Sequence, residues 1–282
     1  LLGIIALSSV ILQTESLSKI YSGGGVDTVA LDNVSIKIYE GEFIAIMGPS
    51  GSGKSTLLNL IGALDSPTSG KIQVDGIEIT TLNSAGLALL RNKKVGFVFQ
   101  SFNLISRFSA LSNVELPLSI LGVSTNERKK RAYEMLKMVG LEDKWKNNPN
   151  QLSGGEQQRV AIARALSVNP PIILGDEPTG NLDTKNSISI IDLLYDFNQK
   201  TGKTIILITH DPEVAVRASR VITFKDGCIE DEDYDLKFKK INVRVESDHN
   251  ALVKTALDWS GTLDCYINCA GFSKWSPIKN VD

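Results

Sequence analysis

Cysteine is scarce in this sequence: the 282 residues include three cysteines, and the first of them is Cys228. A disulfide framework is therefore excluded from most of the chain, which suits a reducing compartment. Histidine is rarer still, with only His210 and His249. The net charge of −2 provides no general basic field that would attract nucleic acid, so we expect no nucleic-acid partner.

Long apolar runs are missing as well. A helix that crosses a bilayer needs about 18 or more consecutive apolar residues, and no segment of the sequence approaches that length. Residues 1–11 form an apolar lead-in that lacks the basic residues of a secretion signal, and we interpret it as an atypical segment. If the protein works at a membrane, another subunit must supply the spans.

Strand and helix patterns alternate from about residue 12 to residue 235. This alternation predicts an α/β fold with a mostly parallel sheet covered by helices. Residues 101–158 show no strand pattern and are predicted to form a helical subdomain. An acidic run at 230–235 precedes basic residues, which predicts a linker and sets residues 236–282 apart. The clearest predicted elements are strands at 43–47, 95–99, 172–174 and 204–209, and a helix at 126–139.

A glycine-rich loop follows the first of these strands and precedes a helical run. It reads Gly48-Pro-Ser-Gly-Ser-Gly-Lys-Ser-Thr56 and fits the P-loop pattern in the strand–loop–helix context that the pattern requires. Glycines let backbone N–H groups turn toward phosphate oxygens, and the helix start adds a positive dipole end. A glycine-rich turn without a ligand is the alternative. The residues expected around the phosphates are Gly48, Ser50, Gly51, Ser52, Gly53, Lys54, Ser55 and Thr56.

Two adjacent carboxylates, Asp176 and Glu177, close an apolar strand. Because neighbouring side chains on a strand point to opposite faces, the two can do different work. Beside a P-loop, Asp176 can bind Mg²⁺ together with the hydroxyl of Ser55, and Glu177 can orient or deprotonate an attacking water. Taken alone, a solvated acidic turn would be an equally good interpretation.

A second helical run begins at Ser153-Gly154-Gly155-Glu156. Ser153 and Glu156 have the spacing of a capping box, and a well-capped helix is the simpler interpretation. The paired glycines leave backbone N–H groups uncovered at the helix start, which favours a second anion-binding segment.

These motifs, in this order, resemble the ATP-binding subunit of an ABC transporter, and Leu152-Ser-Gly-Gly-Glu156 matches the signature of that family. The resemblance covers roughly residues 12–232. It implies a P-loop NTPase core with an antiparallel β subdomain and a helical signature subdomain. It also implies a homodimer, head to tail around two ATP molecules, with Mg²⁺ as cofactor and a transmembrane permease as partner. The expected location is cytoplasmic, peripheral on the cytoplasmic face of the cell membrane.

Two further residues match nucleotide-binding positions of the family. Tyr21 matches the aromatic residue that stacks on adenine, although it could be only a half-buried tyrosine at a strand end. Gln100 matches the glutamine that contacts Mg²⁺ and links ATP to the permease. A lone glutamine would otherwise be read as a surface residue.

Two more residues match positions near the γ-phosphate and the dimer interface. Asp183 matches the loop that crosses the interface, and it could also cap a helix. His210 matches the histidine that contacts the γ-phosphate. The resemblance therefore implies that Lys54, Glu177 and His210 are the catalytic residues, with Ser153, Gly154 and Gly155 of the partner closing the site.

Several sequence segments, among them Phe97-Val-Phe-Gln-Ser-Phe-Asn-Leu104, are similar to those of one branch of the family, the lipoprotein-releasing and macrolide- or peptide-export ATPases. The resemblance implies an ATP-hydrolysing subunit that powers export or lipoprotein release. Residues 101–121 are expected to dock the permease, although most candidate contacts could belong to the core: Phe102, Leu104, Phe108 and Leu111. A soluble ABC ATPase that does not transport is the alternative.

Residues 236–282 follow a different pattern. Gly261-Thr-Leu-Asp-Cys-Tyr-Ile-Asn-Cys-Ala-Gly271 resembles an internal strand of a short-chain dehydrogenase/reductase, with Cys269 in place of an asparagine. The dinucleotide-binding loop and the Tyr-x-x-x-Lys pair of that family are absent from this segment. A fragmentary nicotinamide-dependent reductase is therefore a remote alternative, and we interpret the segment as foreign to the ATPase.

Overall fold

The computed structural model describes residues 9–23 and 26–234. Its strands are β1 Val10–Gly23, β2 Val26–Val34, β3 Lys37–Tyr39, β4 Phe43–Met47, β5 Ser69–Val74, β6 Ile77–Glu78, β7 Val95–Phe99, β8 Ile172–Asp176, β9 Thr204–Ile208, β10 Arg220–Lys225 and β11 Cys228–Tyr234. Its helices are α1 Lys54–Ile61, α2 Ser84–Lys94, α3 Ala110–Ile120, α4 Thr125–Met138, α5 Gly154–Leu166, α6 Thr184–Thr201 and α7 Pro212–Arg217. Within these residues, no helix is long and apolar enough to cross a membrane.

The larger sheet has six strands in the order β11-β10-β4-β9-β8-β7. Every neighbouring pair is parallel except β10 with β11, which confirms the predicted, mostly parallel sheet. The register pairs Phe99 with Asp176, and Asp176 with Ile208, so β7, β8 and β9 end side by side. The loops that follow parallel strands meet at this carboxyl edge, where open α/β sheets bind their ligands.

The second sheet is antiparallel, with β2, β1, β5 and β6 in order and β3 paired to β1. It corresponds to the antiparallel β subdomain that the resemblance implies. The first strand begins at Val10, inside the stretch predicted as a lead-in, and Ile11 is buried. Residues 1–8 and the predicted foreign segment at 236–282 lie outside the described residues.

Strand β4 contributes to two hydrophobic cores. Phe43 and Ala45 belong to a core with residues of α3, α4, α5 and α6, whereas Ile44 and Ile46 belong to a core with α1 and the antiparallel sheet. Successive side chains of a strand point to opposite faces, so this division follows from the strand period. None of the four is more than 2% exposed, which explains why the strand is continuously apolar.

Residues 101–158 contain α3, α4 and the start of α5 and no strand. The predicted helix at 126–139 is confirmed as α4. Buried Asn113 organises the segment before α3: its side chain accepts from the N–H of Ile105 and donates to the carbonyls of Ile105, Phe108 and Ser109. One amide thus fixes the chain that leads away from Gln100.

The prediction that the acidic run forms a linker is wrong for residues 230–234. These residues belong to β11, which pairs with β10 from Cys228 to Tyr234. The run does not break the strand because an edge strand has a neighbour on one side only and tolerates charged residues there.

Candidate active site

The loop between β4 and α1 has a backbone path that requires glycine at two positions. Gly48 has a φ of 141° and Gly53 a φ of 99°. A Cβ atom at Gly48 would lie 2.1 Å from the carbonyl oxygen of Phe224, and one at Gly53 would lie 2.3 Å from that of Ala30. The backbones of β10 and β2 therefore lie directly against the loop and fix its conformation.

Helix α1 begins at Lys54, and no side chain caps its start within the described residues. The N–H groups of a first turn without a cap remain available to an anion. The Lys54 ammonium donates to the carbonyls of Gly48, at 2.9 Å, and Pro49, at 2.7 Å. Burial lowers the pKa of Lys54, and the nearby carboxylates oppose this. The same loop and first turn hold the other predicted phosphate-binding residues: Ser50, Gly51, Ser52, Ser55 and Thr56.

A hydrogen bond joins this first turn to the end of β8. The Ser55 hydroxyl donates to Asp176 Oδ1 across 3.2 Å. Burial is the largest influence and raises the pKa of Asp176; the Ser55 hydrogen bond opposes this, and the charge of Glu177 adds to it. Residues 9–23 and 26–234 hold no group of three or more His, Cys, Asp or Glu residues suited to a metal. One hydroxyl and one carboxylate fit Mg²⁺, which takes its remaining oxygen ligands from phosphates and water.

Glu177 follows β8 with an unusual φ of 44°. Its N–H donates to the carbonyl of Ile208 at 3.0 Å, and its own carbonyl accepts from the N–H of Gly180 at 3.0 Å. A non-glycine residue stays in the left-handed region only where its surroundings hold it there, and such residues concentrate at functional sites. The Glu177 carboxylate lies 3.6 Å from the His210 ring, measured from Oε1 to Nδ1.

The backbone around His210 is anchored although its ring is exposed. Buried Thr209 donates its N–H to the carbonyl of Ile46 at 3.1 Å, and its hydroxyl accepts from the N–H of Asp211 at 2.9 Å. The His210 side chain is 75% exposed and therefore accessible to a ligand at this edge. The structure thus places the His210 ring next to the Glu177 carboxylate.

Gln100 follows β7 and contacts the loop after Glu177. The side-chain amide of Asn181 donates to the Gln100 carbonyl at 3.0 Å, and the Gln100 amide donates to Asn181 Oδ1 at 3.4 Å. A Cβ atom at Gly180 would lie 2.6 Å from Gln100 Nε2, so the two loops are in close contact. Among the described residues, no hydrogen bond joins Gln100 to the predicted metal ligands.

Tyr21 lies within β1, which continues to Gly23, rather than at a strand end. Tyr21 is 43% exposed, its hydroxyl donates to Asp65 at 2.9 Å, and the Lys19 ammonium lies 4.8 Å from the ring centroid. Burial, followed by the hydrogen bond with Asp65, raises the pKa of Tyr21, and a hydrogen bond with Thr56 opposes this. Tyr21 therefore lies beside the first turn of α1.

The signature segment, Ser153-Gly154-Gly155, starts α5. The Ser153 hydroxyl accepts from the N–H of Glu156, and the Glu156 carboxylate accepts from the N–H of Ser153 at 2.8 Å. The predicted capping box is confirmed. Within the described residues, no hydrogen bond joins the signature segment to the loop at 48–56.

The start of α6 packs against the signature segment. Asp183 caps this helix by accepting from the N–H of Asn186 at 3.0 Å, as the alternative interpretation of Asp183 predicts. A Cβ atom at Gly155 would lie 2.6 Å from Asn186 Oδ1, so only glycine fits here without a shift. The signature segment and the predicted interface loop therefore form one surface.

An apolar groove of about 460 Å³ opens beside the segment after β7. Residues of α2, α3, α5 and β7 line it, and Ile120 at its edge is 69% exposed. Of the predicted permease contacts, Leu111 is buried in a core and Leu104 packs against that core. The exposed apolar surface is thus at the groove rather than at those two leucines.

Several side chains that support the predicted residues carry no motif in the sequence. Lys19 and Asp65 form an ion pair at 2.9 Å beside Tyr21. Gln158 and Arg164 of α5 bond to the segments next to Gln100. The only sequence signal was their place in a strand or helix, which does not distinguish them from other polar residues.

Comparisons with known proteins agree on one family. A family profile described as ABC transporter matches residues 31–180. The uncharacterized ABC transporter ATP-binding protein MJ0796 of Methanocaldococcus jannaschii is 52% identical over 226 residues, which are 79% of this chain and 96% of that protein. The macrolide export ATP-binding/permease protein MacB of Syntrophobacter fumaroxidans is 47% identical over 79% of this chain and 31% of its own length.

Among solved structures, the dimeric, post-hydrolysis form of the MJ0796 cassette bound to ADP and Pi is similar with a TM-score of 0.74. The identity is 50%, and the match covers 80% of this chain and all of that one. A second dimeric MJ0796 structure, described as a bacterial ABC transporter cassette, is similar with the same TM-score and 51% identity.

Proposed function

The chain belongs to the ABC transporter family and is a subunit that binds and hydrolyses ATP. We propose that two copies associate head to tail around two Mg²⁺–ATP molecules. The main support is the position of the signature segment. Lys54, Asp176 and Glu177 meet at the carboxyl edge of the sheet, whereas the signature segment packs against α6 in its own chain. A complete site then takes its signature segment from a second copy, and the dimeric MJ0796 structures support this arrangement.

The phosphate loop and the end of β8 bind the charged part of the substrate. Lys54 donates to β- and γ-phosphate oxygens, and the N–H groups of residues 48–56 surround the phosphates. Ser55 and Asp176 hold Mg²⁺, with Gln100 as a further ligand at the same edge. When bound, Mg²⁺ neutralises charge on the β- and γ-phosphate oxygens.

Hydrolysis depends on the position of one water. Glu177 orients it in line with the bond to be broken and accepts its proton, while His210 contacts the γ-phosphate. The water oxygen bonds to the γ-phosphorus and the bond to the β–γ bridging oxygen breaks, which releases ADP and phosphate. The fixed backbone of Glu177 suits this role, because the catalysis consists mainly of positioning and charge stabilisation.

The second copy supplies the remaining contacts. The Ser153 hydroxyl and the N–H groups of Gly154 and Gly155 bind the γ-phosphate from the opposite side. Asp183 lies at the interface, since it caps the helix that packs on the signature segment. Tyr21 stacks on adenine through its exposed ring, near Thr56 and the phosphates.

The transport partner is a transmembrane permease, which places the chain on the cytoplasmic face of the membrane. The MacB relative is described as both ATP-binding protein and permease, and the present chain corresponds to 31% of its length. A short apolar helix of the permease would fill the groove edged by Ile120, next to the segment that follows Gln100. The system is of the export or lipoprotein-release type.

Docking can be tested by changing the edge of the groove. Ile120→Asp should leave ATP hydrolysis by the isolated chain unchanged and should abolish its co-sedimentation with membranes from cells that express the transporter. Met138→Asp is the control, because Met138 is an exposed apolar residue of α4 outside the groove. Equal membrane association of both variants would contradict docking at the groove.

The composite site can be tested by measuring Mg²⁺–ATP hydrolysis against protein concentration. We expect the rate to rise faster than linearly, since the active species is a dimer. Glu177→Gln should lower kcat by roughly 10²-fold or more and accumulate an ATP-bound dimer on gel filtration. Glu127→Gln, in an exposed ion pair with Arg131, is the control. A strictly linear rate from a monomer would overturn the head-to-tail arrangement.

A further inference from the structure

The fully buried side chain of Gln158 connects the two loops that carry Gln100 and Glu177. Its Nε2 donates to the carbonyl of Pro178 at 2.6 Å and to that of Phe99 at 3.4 Å. Pro178 directly follows Glu177, and Phe99 directly precedes Gln100. A single amide group therefore bonds to the backbone next to both residues.

The orientation of this amide is determined by its partners. Both N–H groups meet carbonyl oxygens, and exchanging the two ends would place oxygen against oxygen. Oε1 is buried and has no hydrogen-bond partner among the described residues. A buried acceptor without a partner costs free energy, so retaining it calls for an explanation. The two bonds of Nε2 supply that explanation.

Arg164, six residues further along α5, bonds to the other side of the Gln100 segment. Its guanidinium donates to the carbonyl of Phe102 at 2.9 Å and to that of Asn103. These two residues have φ values of 60° and 50°, an uncommon conformation for residues other than glycine. The backbone before and after Gln100 is thus bonded to the same helix.

We propose that Gln158 is a positioning residue for ATP hydrolysis. Carried by the helix that begins with the signature segment, its amide holds the strained turn of Glu177 and the start of the Gln100 segment in fixed relation. The inference rests on the proposed role of Glu177. It makes α5 a physical connection between the signature segment, which serves the partner's site, and the water-orienting carboxylate of its own site.

Gln158→Met is the informative change. Methionine keeps the length of the side chain, removes both hydrogen bonds and also removes the unpartnered oxygen, so the fold should be retained. We expect kcat to fall roughly tenfold, because a small misplacement of a catalytic group costs that much or more. The KM for ATP and the melting temperature should stay close to those of the wild type. Gln199→Met is the control, because Gln199 lies on the exposed side of α6, and its kcat, KM and melting temperature should all match those of the wild type.

A double-mutant cycle tests whether Gln158 acts through Glu177. In the Glu177→Gln background, Gln158→Met should cause no further loss of residual turnover, because the group that it positions is already absent. An unchanged kcat, or a loss that is fully additive with Glu177→Gln, would overturn the positioning role. If Glu177→Gln itself hydrolyses ATP at the wild-type rate, the proposed role of Glu177 fails instead.

Arg164→Lys provides a second variant in case Gln158→Met reduces the yield of folded chain. Lysine keeps the charge but cannot donate to both carbonyls as a guanidinium does. Its kcat should fall severalfold with an unchanged KM for ATP. Arg159→Lys is the matched control on the same helix, since Arg159 bonds to Val139 and Ser189 rather than to either loop. Equal kcat values for the two variants would contradict the part of the proposal in which hydrogen bonds from α5 fix the Gln100 segment for hydrolysis.

Discussion

The hydroxyl of Ser55 and the carboxylate of Asp176 are 3.2 Å apart, so the helix that follows the phosphate loop and the strand that precedes Glu177 place two side-chain oxygen atoms next to each other. Because the first comes from α1 and the second from β8, the proposed metal site lies between two rigid elements. In the proposed function, phosphate, metal and attacking water are then all positioned at the carboxyl edge of the larger sheet.

Removal of the Ser55 hydroxyl should weaken Mg²⁺ binding specifically. For Ser55→Ala we expect the Mg²⁺ concentration that gives half-maximal hydrolysis to rise by roughly tenfold or more, with the rate partly restored at high Mg²⁺. The measurement is the hydrolysis rate against free Mg²⁺ at saturating ATP. Ser119→Ala, at the exposed end of α3, should follow the wild-type curve. A Ser55→Ala curve identical to the wild type would remove Ser55 from the metal site.

Gly48→Ala should lower the free energy of unfolding more than Gly76→Ala does. At Gly76, which has a φ of 75° and nothing within 4 Å of a Cβ atom, alanine should cost only the left-handed backbone, about 1–2 kcal/mol. At Gly48 the new methyl group also meets the Phe224 carbonyl. Urea denaturation in the absence of nucleotide compares the two variants. Equal free energies of unfolding would show that the loop moves away from β10 without cost.

Asp176 should make the free energy of unfolding depend on pH in the opposite direction from an ion-paired carboxylate. Burial raises its pKa in the folded chain above the ordinary value of 3.8, so the folded state binds this proton more tightly than the unfolded state. The free energy of unfolding should therefore decrease as the pH rises from the ordinary value through the raised one, and the ionised carboxylate destabilises the fold at higher pH.

Asp176→Asn should accordingly be more stable than the wild type at neutral pH without nucleotide or Mg²⁺. The difference should shrink as the pH falls toward 3.8, because the folded wild-type carboxyl takes up its proton above the ordinary pKa. Thermal denaturation of both proteins across this range is the measurement. A less stable asparagine variant at neutral pH would show that the buried charge is fully compensated in the fold.

Tyr21 should contribute to ATP affinity through its ring and not through its hydroxyl. Tyr21→Ala should raise the KM for ATP roughly tenfold, since stacking of a base on an aromatic ring is worth about 1–3 kcal/mol. Tyr21→Phe keeps the ring but loses the bond to Asp65, and its KM should stay near the wild-type value. Steady-state kinetics of both variants at saturating Mg²⁺ decide the point. Equal KM values for alanine and phenylalanine would exclude stacking.

The phosphate loop and the carboxylate pair could be placed from the sequence because each directly follows an apolar strand, whereas Gln100 and His210 were predicted from the family resemblance. Parallel strands end at one edge of a sheet, so the motifs after β4, β7, β8 and β9 had to meet. The capping roles of Ser153 and Asp183 were also predictable, because they depend only on residues three positions away.

The supporting side chains could not be predicted in the same way. Gln158 and Arg164 act on backbone carbonyls that are 20 or more residues distant in the sequence, at Pro178 and Phe102. A backbone carbonyl has no sequence identity, so no residue pattern indicates the partner. The strand over the acidic run was missed for a related reason, since its pairing with β10 outweighed its charged composition.

The division of β4 between two cores has a consequence for how the chain unfolds. Loss of the packing around Ile44 and Ile46 would remove support from a strand that Phe43 and Ala45 also need, so neither half can melt while the other keeps its full stability. We therefore expect residues 9–234 to denature in a single cooperative transition, with the phosphate loop and the signature helix lost together.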